Sequence, residues 1–530
     1  MKEAVIAIVG GGATAISLLD ALIREAKALP EQPRLVVYMI ESRRLRGRGL
    51  AYDDDLASNL LNTRAGFITP FPDRPGHFHA WIVANGATWR HEFPHLTVDA
   101  GTFAPRPLFG LYLECMLSEL GGELMRIGGT LIPVGAEAID IERTPEGQLL
   151  VETDTALTIR ADRVVLSCGN LQAREHDAMA ARPGFYAAPY PIRRLVHEIP
   201  KEASVAVIGA RLSAIDAALG LLGAGHRGPV AMVSRSGYLP SVRGTQGRYA
   251  PAILTRERIE QHVARHGVLP LRTLAGWIVD EVARAGGGRL PDDAPMPPAP
   301  PADPLAFLEA EIAASAGPRP WQAVLYATNG LVDTIWRALP EAERRLFLER
   351  YQAAWMAYRV SIPVENAQRM LDAGRAGRLV FRSGPSRVAA QADGGFAVTI
   401  GEGPDAAPER FDAVVCAYGS SRDPRRLDSR LVGNLLGRGL VRPHRYGGLD
   451  VDPRTGQAIA ADGGPVPTLT VLGELTAGVH FFTSALEINA RHAGVQAKGI
   501  IAAIAGAQQT TATAEVAERP ASVVRLVGAV

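Results

Sequence analysis

The chain is 530 residues long, 47% of them hydrophobic, with a formal net charge of +1. That length calls for two or more domains, and the near-neutral charge offers no basic field for nucleic acid and no acidic tail. Cys115, Cys168 and Cys416 are far apart and form no C-x-x-C, which argues against a disulfide framework, a zinc site and a redox dithiol, and fits a reducing cytoplasm. The first apolar run is too short for a signal core, and no stretch of about 18 apolar residues reads as a membrane span.

In chain order, Ala4 to Val9 reads as a buried strand of a parallel sheet. Gly10-Gly11-Gly12-Ala13-Thr14-Ala15 follows with the spacing G-x-G-x-x-A, and then a helical run to about Leu29. Gly10 permits the tight turn, Gly12 lets a pyrophosphate approach the backbone, and Ala15 lets the helix pack closely. The next strand, Arg34 to Ile40, ends at Glu41, whose carboxylate suits a ribose diol. Strand, glycines, helix, strand and acid in that order predict a dinucleotide site. Ser42 to Tyr52, rich in Gly and Arg, reads either as a loop over the diphosphate or adenine or as a solvated basic loop.

Asn59 to Gly66, with Asn62, Thr63 and Arg64, precedes a turn-rich Thr69 to Asp73. Helices are expected from Phe78 and through Leu120, and Ile132 to Ile141, Leu149 to Thr153 and Leu157 to Ile159 read as a small β-meander. Asp162 to Ser167 is another buried strand. A second nucleotide unit opens at Ser204 to Ala214, with Gly209, Arg211 and Ser213, then a helix to Leu222 and a strand Val230 to Val233. That strand ends in Ser234-Arg235 rather than an acid, which suits a 2′-phosphate and hence NADPH. Arg211 stands where a second glycine is usual; it either obstructs the pyrophosphate or itself reaches a phosphate or a substrate carboxylate.

Ala252 to about Ala285 reads as helical, and Pro291 to Pro304 as an exposed loop or short linker. Leu305 to Ala314, Trp321 to Arg337 and Glu341 to Tyr358 read as helices, and Leu379 to Arg382, Phe396 to Ile400 and Ala413 to Cys416 as strands. Thr468 to Gly478 carries Gly473-Glu474 after a strand, and Ser484-x-x-Glu487 reads as a capping box opening a helix. Such a helix N-terminus favours the negative charge of a reduced flavin. A frayed tail is expected beyond about Ala507. The division expected is a first nucleotide domain over 1–190, a second over 191–400 with a helical insertion at about 250–350, a return to the first over 401–510, and a tail.

With Gly10 to Ala15, Gly49 to Tyr52, Asn59 to Ala65, Pro105-Arg106 with Gly110, Gly209 to Asp216 and Gly473 to Gly478 in view, the chain resembles the FAD/NAD(P)-binding oxidoreductases with two dinucleotide domains. It looks closest to the N-hydroxylating flavin monooxygenases. Leu61 to Ala65 and Tyr358 to Pro363 look similar to enzymes that oxidise aspartate to nitrosuccinate. The resemblance implies an α/β fold of two Rossmann-like domains. It implies FAD at Gly10, Gly11, Gly12, Ala13, Thr14 and Glu41, with the flavin ring between Asn62-Thr63-Arg64 and Gly473-Glu474 near Ser484. NADPH would dock around Gly209, Ser213, Ser234 and Arg235. O2 would react through a C4a-hydroperoxyflavin at the amine of a small anionic amino acid.

Two cationic anchors for such an acid are expected at Arg64 and Arg359, with Arg211 third. Arg64 has a second reading as a partner of a flavin phosphate, Arg359 as a helix cap, and His480 as a hydrogen-bonded structural histidine or a flavin contact. The alternatives are a flavin reductase serving a non-oxygen acceptor and a flavoprotein whose second domain has decayed. No metal, nucleic acid or membrane partner is expected.

Overall fold

The computed structural model describes residues 3–44, 46–174, 177–288, 297–402, 406–419 and 421–517, with side chains to 506 in the last helix. Its frame is two parallel sheets. In the first, Ala4–Val9 lies between Leu35–Ile40 and Arg163–Leu166; Thr130–Val134 extends one side and Pro465–Val471 the other, with Gln457–Ile459 antiparallel at that edge. Both faces are covered. The helix Ala13–Lys27 packs between the sheet, the helix Arg106–Arg126 and the closing helix Leu486–Ala517. Ile6, Ile8, Leu18 and Leu22 are fully buried, as continuous apolar strands of a parallel sheet require.

The second sheet runs Leu379–Ser383, Val230–Ser234, Val205–Ile208, Ala413–Cys416 and Phe185–Tyr186, all parallel. Two strands on one side of this sheet differ from the division expected from sequence. Phe185–Tyr186 had been placed in the first unit and Ala413–Cys416 in the return segment, yet both pair within the second sheet. Short apolar strands read alike in either sheet, and only register assigns them. The expected strand Ile132 to Ile141 is two: Thr130–Val134 joins the first parallel sheet, and Ala138–Arg143 begins an antiparallel meander.

Three expected helices are interrupted. Arg256–His266 stops at Gly267, whose φ is +79°, and a new helix, Leu271–Val282, starts after Pro270. Pro320–Ala327 and Val332–Ala338 are separated by the 3-10 turn Thr328–Gly330. Glu341 to Arg359 is helical throughout but passes through a π segment at Phe347–Tyr351. In the proline-rich loop, residues 291–296 lie outside the described ones; Asp303 then caps Pro304–Ser315 by accepting the N–H groups of Leu305 and Ala306. The closing helix continues past Ala507 to Ala517, beyond the expected start of the tail, of which 518–530 lie outside the described residues. No helix among the described residues is long and apolar enough to cross a membrane.

The two nucleotide units are joined by buried polar contacts. Tyr190 donates to Asp216 Oδ2 at 2.6 Å, and Arg106 Nε lies 3.4 Å from the same oxygen. Asp55 accepts the N–H groups of Ile192 and Arg193. Burial pushes the Asp216 carboxyl upward, against the pull of Arg106 and the Tyr190 bond.

Candidate active site

The first cradle forms where Ala4–Val9 ends. Gly10 has φ +102°, and a Cβ there would overlap the Ser167 carbonyl oxygen on the neighbouring strand end. At Gly12 a Cβ would lie 3.4 Å from the Gly49 backbone. Gly47 N–H donates to the Gly11 carbonyl at 2.8 Å, so the Gly/Arg-rich loop folds over the glycine turn. Glu41 is 7% exposed. It accepts the Gly11 N–H at 3.2 Å and the Arg43 guanidinium at 3.2 Å. Arg48 is buried and pairs with Glu114 at 2.8 Å; it anchors the loop rather than facing a nucleotide. These features fit a dinucleotide: a strand-to-helix turn stripped of side chains, the start of Ala13–Lys27 with no side-chain cap, and a carboxylate one strand away.

The far end of the first sheet closes on this cradle. Gly473, φ +85°, follows Pro465–Val471, and a Cβ there would reach Thr14 Cγ2 at 4.0 Å. Glu474 accepts from Thr483 Oγ1 at 2.9 Å. Burial raises its pKa, opposed by that bond and by Arg422. The expected capping box is not formed. The helix begins at Leu486, Ser484 is exposed, and Glu487 accepts from Asn329 Nδ2 at 3.0 Å. Tertiary contact with a distant turn has taken the carboxylate that the local motif would use.

At the second cradle, Gly209 has φ +140°, and a Cβ would lie 2.6 Å from the Ala417 carbonyl oxygen. Arg211 caps the helix Leu212–Gly223 by position, without a side-chain bond. It is exposed, and its charge is felt beside Arg235. Ser213 is half-buried; the buried Ser234 hydroxyl accepts the Gly237 N–H at 3.0 Å and is committed to its own turn.

Between the cradles lies a group of arginines. Asn59 to Ala65 runs beside Thr102 to Arg106, bonded from Leu61 N–H to the Ala104 carbonyl and from Ala65 N–H to the Thr102 carbonyl. This presents Arg64, which donates to the Gly244 carbonyl at 2.8 Å across the seam. Segment 241–243 runs beside 361–363 through the Val242–Ile362 bridge and the Arg243 N–H to Ile362 carbonyl bond. Arg243, which sequence reasoning did not single out, donates from Nη2 to the Asn62 carbonyl at 3.1 Å. Its guanidinium carbon lies 3.8 Å from the centre of the Tyr326 ring. Arg359 ends the helix Gln352–Arg359, is 5% exposed, and lies 4.6 Å from the same ring centre.

Among the described residues neither Arg243 nor Arg359 has a carboxylate at ion-pair distance, and the Nε of each is buried without a partner. Burial pushes Arg359 down to about 10, with Arg243 adding to the shift; burial and then Arg64 push Arg243 down. One buried and one half-buried guanidinium group side by side, with no counter-ion among the described residues, are costly unless an anion joins them. Arg64 and Arg359 are thus brought into one region with Arg243, while Arg211 stays at the second cradle beside Arg235. A signal for Arg243 existed in Leu239 to Gly244, a strand-like run bounded by Pro240 and Gly244, but nothing local shows what it pairs with.

His480 is buried against His492, with ring centres 4.2 Å apart and the rings tilted by 39°. Burial pushes it down to about 3, so it is neutral. With Asp333 these histidines place three ligand-type atoms within 4.8 Å of one another. Asp333 is already faced by Arg491 at 3.5 Å and His492 at 3.4 Å, while His480 Nδ1 is buried without a hydrogen-bond partner, so the hydrogen bond expected of a structural histidine is not formed at that nitrogen.

Residues 7–171 match the sequence model of a family described as FAD-NAD(P)-binding. No curated protein matches the chain in sequence. Among solved structures the chain is similar to L-lysine 6-monooxygenase from Pseudomonas syringae, at 15% identity over 95% of this chain and 99% of that one, TM-score 0.56. It is similar to the ornithine hydroxylase of Pseudomonas aeruginosa, at 17% identity over 94% and 99%, TM-score 0.55. It is also similar to the ornithine N-hydroxylase of Kutzneria sp. 744, with reduced FAD, NADP+ and L-ornithine, at 17% identity over 95% and 99%, TM-score 0.52. The chain therefore shares the α/β fold of these structures over nearly the whole of each chain.

Proposed function

We propose that the protein is an FAD- and NADPH-dependent monooxygenase that N-oxygenates the amine of a small anionic amino acid, with L-aspartate to nitrosuccinate as the specific reaction. The observation that carries this is the pair Arg359, buried, and Arg243, half-buried with a buried Nε, which have no carboxylate at ion-pair distance among the described residues, beside Arg64 and the Asn62–Arg64 segment. Ornithine and lysine, named for the similar structures, carry a second amine. A site with surplus buried positive charge disfavours such a cation and favours a second carboxylate.

FAD when bound, reduced by NADPH, supplies the oxygen activation. The chain's own groups do the rest. Gly10 to Thr14 and Glu41 would hold the FAD diphosphate and ribose, and Gly209, Ser213 and Arg235 the NADPH. The arginines would take the carboxylates by charge-assisted hydrogen bonds, fixing where the amine sits. Buried surroundings favour the neutral amine, which alone has the lone pair that attacks oxygen.

The test is mass spectrometry of products from a panel of amino acids, aspartate, ornithine and lysine included, incubated with enzyme, NADPH and labelled oxygen. Labelled nitrosuccinate from aspartate is expected. Peroxide alone across the panel would refute the proposal, and labelled hydroxylated ornithine or lysine would refute its substrate assignment.

A further inference from the structure

We propose that Asn329 is a positioning residue that aims Arg359 while leaving its charge uncompensated for an anionic substrate. The inference rests on the arginine reading above.

Asn329 sits in the 3-10 turn Thr328–Gly330 that interrupts two helices of the insertion. Three contacts meet on this one residue. Arg359 Nη2 donates to its Oδ1, its Nδ2 donates to Glu487 Oε2 at 3.0 Å, and its main-chain carbonyl accepts from Arg491 Nη1 at 2.9 Å. The two charged neighbours decide which way the amide faces. Turned over, it would set an NH2 against a guanidinium and a carbonyl against a carboxylate. Glu487 and Arg491 both lie on the helix Leu486–Ala517 that packs on the first cradle's helix. The arginine, the insertion and the flavin-side helix are thus tied at one amide.

The residue type matters. A carboxylate could also accept from Arg359, but it would neutralise the guanidinium and stand against Glu487. A neutral acceptor holds one arm of Arg359 in place and takes none of its charge. The Nε of Arg359 remains buried and unpartnered, available to a carboxylate on the ligand.

The isosteric Asn329→Asp and the truncation Asn329→Ala separate this role from a structural one. If Asn329 only props up the turn, removing both bonds in Asn329→Ala does more harm than Asn329→Asp. If it leaves the charge of Arg359 free for a ligand carboxylate, the order reverses. The probes are succinate and L-aspartate, titrated calorimetrically into the FAD-loaded protein, with KM and kcat for aspartate alongside. FAD content and the rate of flavin reduction by NADPH serve as controls and are expected at wild-type values in both variants.

Asn329→Asp is expected to weaken succinate binding and raise KM about a hundredfold, and Asn329→Ala about tenfold, with kcat little changed. Glu487→Gln, an exposed change, keeps an acceptor for Asn329 Nδ2 but removes the carboxylate whose charge reaches Arg359 across the amide, and is expected to tighten succinate binding about threefold. It serves as the test should Asn329→Asp fail to fold. Equal losses in both Asn329 variants, a larger loss in Asn329→Ala, or weaker binding in Glu487→Gln would overturn the proposal. Wild-type protein that binds neither succinate nor aspartate would instead bring down the arginine reading, and the proposal with it.

Discussion

Replacing Arg243 with methionine is expected to move stability and substrate affinity in opposite directions. The change forfeits the charge-assisted Nη2 bond to the Asn62 carbonyl, worth about 1.5–3 kcal/mol. It also forfeits the cation–π contact at 3.8 Å from the Tyr326 ring centre, worth about 0.5–2 kcal/mol. Against these stands the relief of a buried cation with no carboxylate beside it, which is several kcal/mol per ion. Methionine fills much of the same volume, so little cavity cost is added. The free protein should therefore melt at the wild-type temperature or above it.

With an anionic substrate the sign reverses. A charge-assisted hydrogen bond of about 1.5–3 kcal/mol is lost, and at 1.4 kcal/mol per factor of ten KM should rise about ten- to a hundredfold. Differential scanning fluorimetry of the FAD-loaded protein and aspartate-dependent NADPH oxidation read the two quantities. A Tm several degrees lower with KM unchanged would refute the reasoning and make Arg243 a structural residue.

Gly10→Ala places a side chain at φ +102° against the Ser167 carbonyl; a loss of more than about 2 kcal/mol is expected, read as a fall in the FAD-to-protein ratio of purified material, and full flavin content would contradict the cradle. Arg235→Ala should lower kcat/KM for flavin reduction by NADPH about tenfold and leave NADH unaffected; stopped-flow reduction checks this, and equal losses for both nucleotides would remove the 2′-phosphate role. Glu281 is buried and accepts the Tyr249 hydroxyl and the N–H groups of Ala252, Ile253 and Leu254. Burial pushes its pKa up, but those bonds outweigh it, led by Leu254, and hold it below 4.5. A depressed carboxyl stabilises above its unfolded pKa and ceases to as pH falls through the folded value. The advantage of wild type over Glu281→Gln in urea unfolding should thus be full above pH 4.5 and shrink below it, and a gap that widens on acidification would sink this account.

Much of the site was legible because its physics is local. Gly10, Gly12 and Glu41 follow from what a diphosphate and a ribose need at a strand end; that Gly110 packs against the Tyr52 carbonyl, which a Cβ there would overlap, shows only in the tertiary structure. Arg64 and Arg359 stand out in the sequence because an amino diacid needs two cationic anchors and bidentate arginines suit them, but that they share one region with Arg243 is not legible there. Arg243 and Asn329 escaped notice because each owes its role to partners more than a hundred residues away or across an interrupted helix. Ser484 misled for the converse reason: its box with Glu487 is locally sound, and a distant amide outcompetes it.

The amino-acid order alone determined the two glycine turns, the strands that lead into them and the acid or basic residue that follows, because each depends on backbone freedom and charge within a few positions. Which sheet Ala413–Cys416 joins, which arginines share Tyr326, and what Glu487 bonds were decided by the tertiary structure. Those outcomes are set by register, burial and competition among distant polar groups, and these arise only when the chain has closed on itself.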